Sequence, residues 1–390
     1  MKIANRMENL SPSVTMAITA LARELKSQGK DILSFSAGEP DFDTPNVIKE
    51  AAIKAIKDGH TKYTAVEGTI ETKKAIINKL KKDHGLEYQL DEVIVSNGAK
   101  HSLFNLFQCL IENGDEVIIP APYWVTYPDQ VKFSDGVPVF IETDDTNNFK
   151  ITAEQLKAAI TDKTKILLLN TPSNPSGAVY TKEELLSLGE VLKGTDILVL
   201  SDEMYEKIMY DGTPFNAAAS VSDDMFQRTV TINGISKAVA MTGWRYGYVA
   251  TPQKLLVKNM TKLQGQVTSN VNSITLQAAV TALDGSADAD IEMMRKEFEI
   301  RRDVAVEQFN AIEGLSVNSP DGAFYLFINI KEVNPDSMKF AADLLEQEGV
   351  AIVPGLAFGT EGYFRFSFAT DLATIEEGIR RIKNFVENNK

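Results

Sequence analysis

Lys237 lies in Ser236-Lys237-Ala238-Val239-Ala240-Met241-Thr242-Gly243-Trp244-Arg245, among small and apolar residues and eight positions before a second cation. Burial and a nearby cation both disfavour an ammonium ion, so a lysine held there keeps a larger share of neutral amine. A neutral amine is a nucleophile that can condense with an aldehyde. Asp202 closes the apolar run Ile197-Leu198-Val199-Leu200-Ser201-Asp202 and leads into Glu203-Met204-Tyr205. A carboxylate at the end of a buried strand can hold a basic ring nitrogen protonated. Together the amine and the carboxylate suit an aldehyde cofactor with a pyridine ring, pyridoxal 5'-phosphate.

Other groups stand at similar places. Ser96-Asn97-Gly98-Ala99-Lys100 follows an apolar run and opens a helix, where small residues let backbone N–H groups approach a phosphate. Trp124, in Pro120-Ala121-Pro122-Tyr123-Trp124, could stack on a flat ring. Asn174 sits in the rigid turn Asn170-Thr171-Pro172-Ser173-Asn174-Pro175-Ser176-Gly177. Tyr205 is three positions beyond Asp202, and Ser236 and Arg245 suit phosphate oxygens. In Tyr363-Phe364-Arg365-Phe366-Ser367-Phe368, alternation puts the phenylalanines on one strand face and Arg365 on the other. Arg365 could then clamp a carboxylate through two hydrogen bonds. Each group has a plainer alternative: a strand-to-helix turn, a core tryptophan, an Asx turn, a helix-capping aspartate, a solvated loop lysine, a surface arginine on an edge strand.

The elements that must position these groups are legible in the apolar pattern. Val93-Ile94-Val95, Val117-Ile118-Ile119, Ile166-Leu167-Leu168-Leu169, Ile197-Leu198-Val199-Leu200 and Val230-Thr231-Ile232 read as buried strands with helices between them. Thr181 followed by Glu184 marks a helix start. The alternation predicts a large, mainly parallel α/β domain over residues 45–280. Strands are expected over 323–330, 350–353 and 363–368. Leu372, Ile375, Ile379, Ile382 and Val386 trace a closing helix. These form a smaller α+β domain over 281–390, with 1–44 as an N-terminal segment and lid associated with it. Asp284-Gly285-Ser286-Ala287-Asp288 is the expected interruption at the junction. In an open α/β sheet ligands gather at the carboxyl ends of strands, where every large-domain candidate falls.

Composition narrows the class. With 390 residues the chain can bury a large core, and a net charge of −14 argues against a nucleic-acid surface. A single cysteine, Cys109, excludes a disulfide framework, and it reads as a small core hydrophobe. No segment has the length of a membrane span and the first residues lack a signal-peptide core, so a cytoplasmic enzyme is expected. His60, His84 and His101 are not spaced as metal ligands, and His84 reads as a solvated helix end.

With these residues assembled, the chain resembles the class I aminotransferases of the aspartate aminotransferase family, in particular the bacterial subgroup that includes prephenate aminotransferases. The resemblance spans nearly the whole length. Its landmarks are Ser36 to Pro45, Lys62-Tyr63-Thr64 before Glu67-Gly68, Ser96 to Lys100, Pro122-Tyr123-Trp124, Asn174 to Gly177, Ser201 to Tyr205, Ser236 to Gly247, and Arg365. It implies the fold type I architecture of pyridoxal phosphate transferases. It also implies that Lys237 bonds the cofactor, Asp202 pairs with the ring nitrogen, and Asn174 and Tyr205 meet the phenolic oxygen. Trp124 would stack on the ring. Ser236, Arg245 and the backbone of Gly98, Ala99 and Lys100 would hold the phosphate. Tyr63 would reach the phosphate of a second subunit, making a homodimer with shared sites. Arg365, with the Gly38 backbone, would bind the substrate α-carboxylate. Lys100, Ser13 and Thr15 would meet a distal carboxylate. Cis bonds are implied at Ala121-Pro122 and Asn174-Pro175.

The implied reaction is amino-group exchange between an amino acid, L-aspartate first, and a 2-oxo acid, 2-oxoglutarate first. Prephenate or aromatic transamination and β-elimination on sulfur amino acids would use the same core groups. A ligand sensor fused to a DNA-binding domain is the non-enzymatic rival, disfavoured by the acidic charge. The chain departs from the family pattern at Tyr246, where a small aliphatic is usual, at His101 for glutamine, and at Ser176 for threonine.

Overall fold

The computed structural model describes all residues except Lys2, Asn9, Ser13 and Lys390, so the Ser13 expectation lies outside the described residues. Its frame is a seven-stranded sheet of β2 (Val93–Ser96), β3 (Glu116–Ala121), β4 (Val137–Glu142), β5 (Thr164–Asn170), β6 (Leu198–Asp202), β7 (Thr229–Gly234) and β8 (Gly247–Ala250). The order is β2-β8-β7-β6-β5-β3-β4, and only β8 runs antiparallel to its neighbours. Helices cover both faces of such a sheet, which explains the near-continuous Val, Ile and Leu runs. All four residues of β2 and the last four of β6 are buried. β8 was absent from the strand expectations: it is four residues long and begins two residues after Arg245, inside a stretch dominated by the Lys237 motif.

The parallel register sets the site. Asn170 pairs with Asp202, and Asp202 with Ile232, so the chain leaves β5, β6 and β7 at one edge. Helices α2 (Asn46–Lys57), α3 (Ile70–His84), α4 (Ala99–Leu110) and α5 (Thr126–Phe133) belong to that frame, whereas α1 (Val14–Ser27) packs against the short strands at Leu33–Ser34, Val350–Ala351 and Val353–Pro354. The expected helix start at Thr181 is a capping box with Glu184, at the head of Lys182–Leu192. Between Ser273–Leu283 and Asp288–Asn310 the chain breaks at Gly285, whose φ of +97° suits glycine.

A second, antiparallel sheet has the order β11-β12-β9, from β9 (Tyr325–Asn329), β11 (Val353–Pro354) and β12 (Tyr363–Ser367). Here β12 is the central strand, with both faces buried, which removes the edge-strand alternative for Arg365. β10 (Val350–Ala351) instead pairs in parallel with β1 (Leu33–Ser34). The continuous strand expected over 350–353 is therefore two short ones split at Ile352, because the chain passes there from one sheet to the other. The closing helix, Leu372–Asn388, buries Ile375, Ile379, Ile382 and Val386 as its spacing requires.

Two further expectations are corrected. Ala121-Pro122 is cis, but the second cis bond is Thr171-Pro172 and not Asn174-Pro175. Asn174 to Ser176 form a helical turn closed by the Gly177 N–H to the Ser173 carbonyl at 2.9 Å, a turn built of trans peptides. His84 is no solvated helix end. Its Nε2 lies 2.6 Å from a Glu206 carboxylate oxygen, and both side chains are almost fully buried. The opposing group is 122 positions away, out of reach of local pattern. Among the described residues no helix is long and apolar enough to cross a membrane. Cys109 packs, partly buried, against the main core.

Candidate active site

Where β5, β6 and β7 end, a cavity of about 470 Å³ opens between the large sheet, β12 and α1. Lys237 follows β7 and projects into it, donating from Nζ to the Gly38 carbonyl. Burial lowers its pKa to about 8; Glu39 opposes that shift, and the charges of Arg365 and Arg245 add to it. A substantial neutral fraction near pH 7–8 is what a nucleophilic amine needs.

Asp202 is buried at the end of β6. Burial pushes its carboxyl up to about 6, against hydrogen bonds from Tyr127 and the Met204 N–H and the charge of Lys237. Oδ2 accepts from the Tyr127 hydroxyl at 2.8 Å and Oδ1 from the Met204 N–H at 3.3 Å. No arginine or lysine lies within ion-pair distance of it among the described residues; Lys237, across the same cavity, is the cation whose charge it feels. A buried anion in that state favours a protonated ring nitrogen beside it.

Around this axis the other expected groups assemble. Asn174 donates its N–H to Asn170 Oδ1 at 2.8 Å, and its own Oδ1 accepts from Arg365 Nη1 at 2.9 Å, so the NH2 group is left as the donor. Tyr205 lines the same wall, its hydroxyl 2.8 Å from that of Tyr325. Trp124 faces the cavity. The Lys100 Nζ lies 4.9 Å from the centroid of the indole ring. Burial, then the charge of Arg245, lowers the Lys100 pKa.

At the far end, the first N–H groups of α4 have no partner inside their helix. Gly98 caps it with φ +89°. A Cβ at Gly98 would come within 2.3 Å of Arg245 Nη2, and one at Gly247 within 2.3 Å of the Ala99 nitrogen. Only glycine allows α4 and Arg245 to converge so closely. Arg245 itself has φ +57° and is held by the Thr242 carbonyl at 2.8 Å. Ser236 opens into the same cavity. Helix N–H groups, a serine hydroxyl and a guanidinium form a donor set matched to a phosphate. His101 accepts the Asn97 N–H at 3.2 Å on Nδ1, which ties down this turn. Tyr246 is buried in the core on the other side, and Ser176 Oγ accepts the Ala178 N–H at 3.3 Å.

Arg365 enters from β12, 2% exposed. Besides Asn174, it donates from Nη2 to the Ser36 carbonyl at 2.7 Å. Its guanidinium carbon lies 4.4 Å from the Tyr325 ring centroid and 5.1 Å from that of Phe358.

Gly38, Ala99 and Thr15 also line the cavity. Tyr63 does not: its side chain is 90% exposed. Tyr127, Asn170, Tyr325, Glu39 and Arg23 line the cavity or hold its groups and were missed from sequence. Asn170 ends a predicted strand, and Tyr127 stands three residues beyond Trp124, one helical turn away. Those two carried a usable signal, and Glu39 lies inside the Ser36 to Pro45 landmark; Tyr325 and Arg23 carried none.

Outside the cavity, Asp83, His84 and Glu206 bring carboxylate and imidazole ligand atoms within 4.8 Å of one another. The Lys79 ammonium already sits among them, paired with Glu206 and 3.5 Å from Asp83. A lysine supplies the cation there.

An amine, a buried carboxylate, a ring platform and a phosphate cradle thus meet in one cleft, and they fit a phosphorylated pyridine aldehyde. Comparison with known proteins agrees. A family model described as aminotransferase class I and II matches residues 30–382. The aspartate aminotransferase of Bacillus subtilis (strain 168) is 48% identical over 394 residues, covering 100% of both chains. An aspartate/prephenate aminotransferase of Nitrosomonas europaea is 46% identical, covering 99% of this chain and 100% of its own. The crystal structure of the aspartate aminotransferase from Rhizobium meliloti superposes with a TM-score of 0.96 at 44% identity over 100% of each chain. That from Thermus thermophilus with maleate gives 0.95 at 40%, covering 98% of this chain and 99% of that one. The cofactor of these enzymes is pyridoxal 5'-phosphate, and this chain belongs to the class I and II aminotransferases.

Proposed function

We propose that this aminotransferase moves the amino group of L-aspartate to 2-oxoglutarate. Besides Lys237, Arg245 and Arg23, the cavity holds the two cations that carry the substrate choice: the Arg365 guanidinium, and the Lys100 ammonium over the Trp124 indole. A dicarboxylic amino acid has one anionic group for each. Maleate, the ligand named with the Thermus thermophilus relative, is itself a dicarboxylate.

When bound, pyridoxal phosphate supplies an aldehyde that takes the amino group and a ring that accepts the electrons of the broken Cα–H bond. The chain's residues do the rest. Lys237, whose amine would hold the cofactor aldehyde between turnovers, projects its Nζ into the cavity, where as a neutral amine it would take the proton from the substrate α-carbon. Asp202 would hold a proton on the ring nitrogen. The Asn174 NH2 and Tyr205 hydroxyl would orient the ring through its phenolic oxygen, and the Trp124 indole would stack on it. Ser236, Arg245 and the N–H groups of Ala99 and Lys100 at the head of α4 would hold the phosphate, while the Gly98 N–H already donates to the Ser96 carbonyl at 2.7 Å. Arg365 and the Gly38 backbone fix the α-carboxylate, with Thr15 on α1 beside the distal group.

A homodimer is part of the proposal. Arg245 also borders an open cleft of about 570 Å³ with Asn97, Gly243 and Trp244. Exposed Tyr63, and Val47, Ile53 and Ile56 at 40–55% exposure on α2, are consistent with a second copy placing its Tyr63 toward this phosphate site. Prephenate as an acceptor is the second reading, favoured by the relatives named aspartate/prephenate aminotransferase.

Half-reaction spectra with a panel of amino acids test the proposal, with prephenate and 2-oxoglutarate as acceptors. Aspartate should convert the cofactor fastest. Lys100→Ala should raise KM for aspartate far more than for alanine; an equal effect on both removes Lys100 from the distal site.

A further inference from the structure

We propose that Tyr127 is a positioning residue for this reaction, one side chain that fixes the Asp202 carboxylate and the Trp124 indole in a single relation to the cofactor ring. The inference rests on the reading of Asp202 as the partner of the ring nitrogen. Tyr127 lies on α5, 1% exposed, and is not among the groups that the sequence singled out.

Two contacts carry the argument. Its hydroxyl donates to Asp202 Oδ2 at 2.8 Å, across 75 positions of sequence. Its ring meets Trp124 edge to face, centroids 5.4 Å apart and planes 83° apart, while its N–H bonds the Trp124 carbonyl at 3.0 Å. The carboxylate that would meet the ring nitrogen and the indole that would stack on the ring are therefore braced by one residue. The Met204 N–H holds the other carboxylate oxygen, so the plane of the group is set from two directions.

The hydroxyl matters electrostatically as well. The ionisable groups around Asp202 are Tyr127 from α5, Tyr205 from the segment after β6, and Lys237 from the segment after β7. Of the influences opposing burial, the Tyr127 hydrogen bond is the largest. The phenol is itself pushed well above its ordinary range by burial and by Asp202, so it remains a donor throughout the working range. Without it the carboxyl becomes more basic and draws the shared proton off the ring nitrogen. The ring is then a poorer electron acceptor.

Tyr127→Phe removes the hydroxyl and keeps the ring against Trp124. In the enzyme with its cofactor bound, the pH midpoint of the visible-absorbance transition should move upward. Turnover should fall on the order of 10-fold with KM for the amino acid little changed. In the cofactor-free protein, the carbon NMR signal of the Asp202 carboxyl should titrate at higher pH than in the wild type. Replacing Tyr127 alone by a ring-fluorinated tyrosine retains the packing and strengthens the donor, and should move the carboxyl titration downward. That second probe serves even if the phenylalanine variant folds poorly. Unchanged titration and unchanged kcat in both proteins would overturn the inference. Asp202→Asn separates the two levels: if it leaves absorbance and turnover intact, the assignment of Asp202 itself is wrong, whereas an inactive Asp202→Asn beside a wild-type-like Tyr127→Phe rejects Tyr127 alone.

Discussion

Replacing Arg365 by lysine keeps the charge and removes the planar fork. A guanidinium has five N–H donors. In this cleft two are spent on Asn174 Oδ1 at 2.9 Å and on the Ser36 carbonyl at 2.7 Å. Nε is buried without a partner among the described residues. Three N–H groups therefore remain for a carboxylate, enough for a two-point grip. A lysine ammonium has three donors on one atom; holding Asn174 and Ser36 leaves one. The substrate loses one charge-assisted hydrogen bond, about 1.5–3 kcal/mol, or roughly 10- to 150-fold in kcat/KM. Both aspartate and alanine carry the α-carboxylate, so the two should fall in parallel. Initial rates for the two donors at saturating 2-oxoglutarate, with thermal melting to confirm folding, provide the measurement. A loss below about 3-fold, too small for one charged hydrogen bond, or a loss confined to aspartate, would refute the reasoning.

Three further outcomes follow from the same geometry. In the cofactor-free protein, covalent capture of pyridoxal phosphate should speed up as pH rises through about 8, the value to which burial lowers Lys237; stopped-flow absorbance reads this, and Lys237→Ala should show neither capture nor turnover. Gly98→Ala forces a Cβ to within 2.3 Å of Arg245 Nη2 at a φ of +89° and should weaken cofactor affinity by about 10-fold or more, seen by absorbance titration. Lys79→Met strips Glu206 of its buried ammonium and should cost about 3–5 kcal/mol of stability near neutral pH. Glu206 is held well below the ordinary carboxylate range, so its contribution is present above the unfolded value and is lost as pH falls through the folded one. The deficit should therefore narrow in acid denaturation profiles as Glu206 protonates more readily in the variant.

Sequence alone determined what is local or periodic. Buried strands show as Val, Ile and Leu runs because both faces of the sheet are covered, and the Thr181 capping box and the closing helix are set by spacing within a turn or two. Since ligands gather where parallel strands end, the strand pattern alone puts Asp202, Asn174 and Lys237 near the cleft. The motifs then named the family.

Tertiary structure decided whatever depends on partners distant in the chain. Lys237 against Gly38 spans 199 positions, and Arg365 against Asn174 spans 191. No periodicity encodes such pairs, because hydrogen bonds form between surfaces that only the completed packing brings together. The same cause buried His84, the last residue of α3 and expected to be solvated, in an ion cluster, and split the strand at Ile352 between two sheets. It also set Tyr127 beneath Asp202: an aromatic on an amphipathic helix reads as core, and its hydroxyl acquires a role only where β6 and α5 meet.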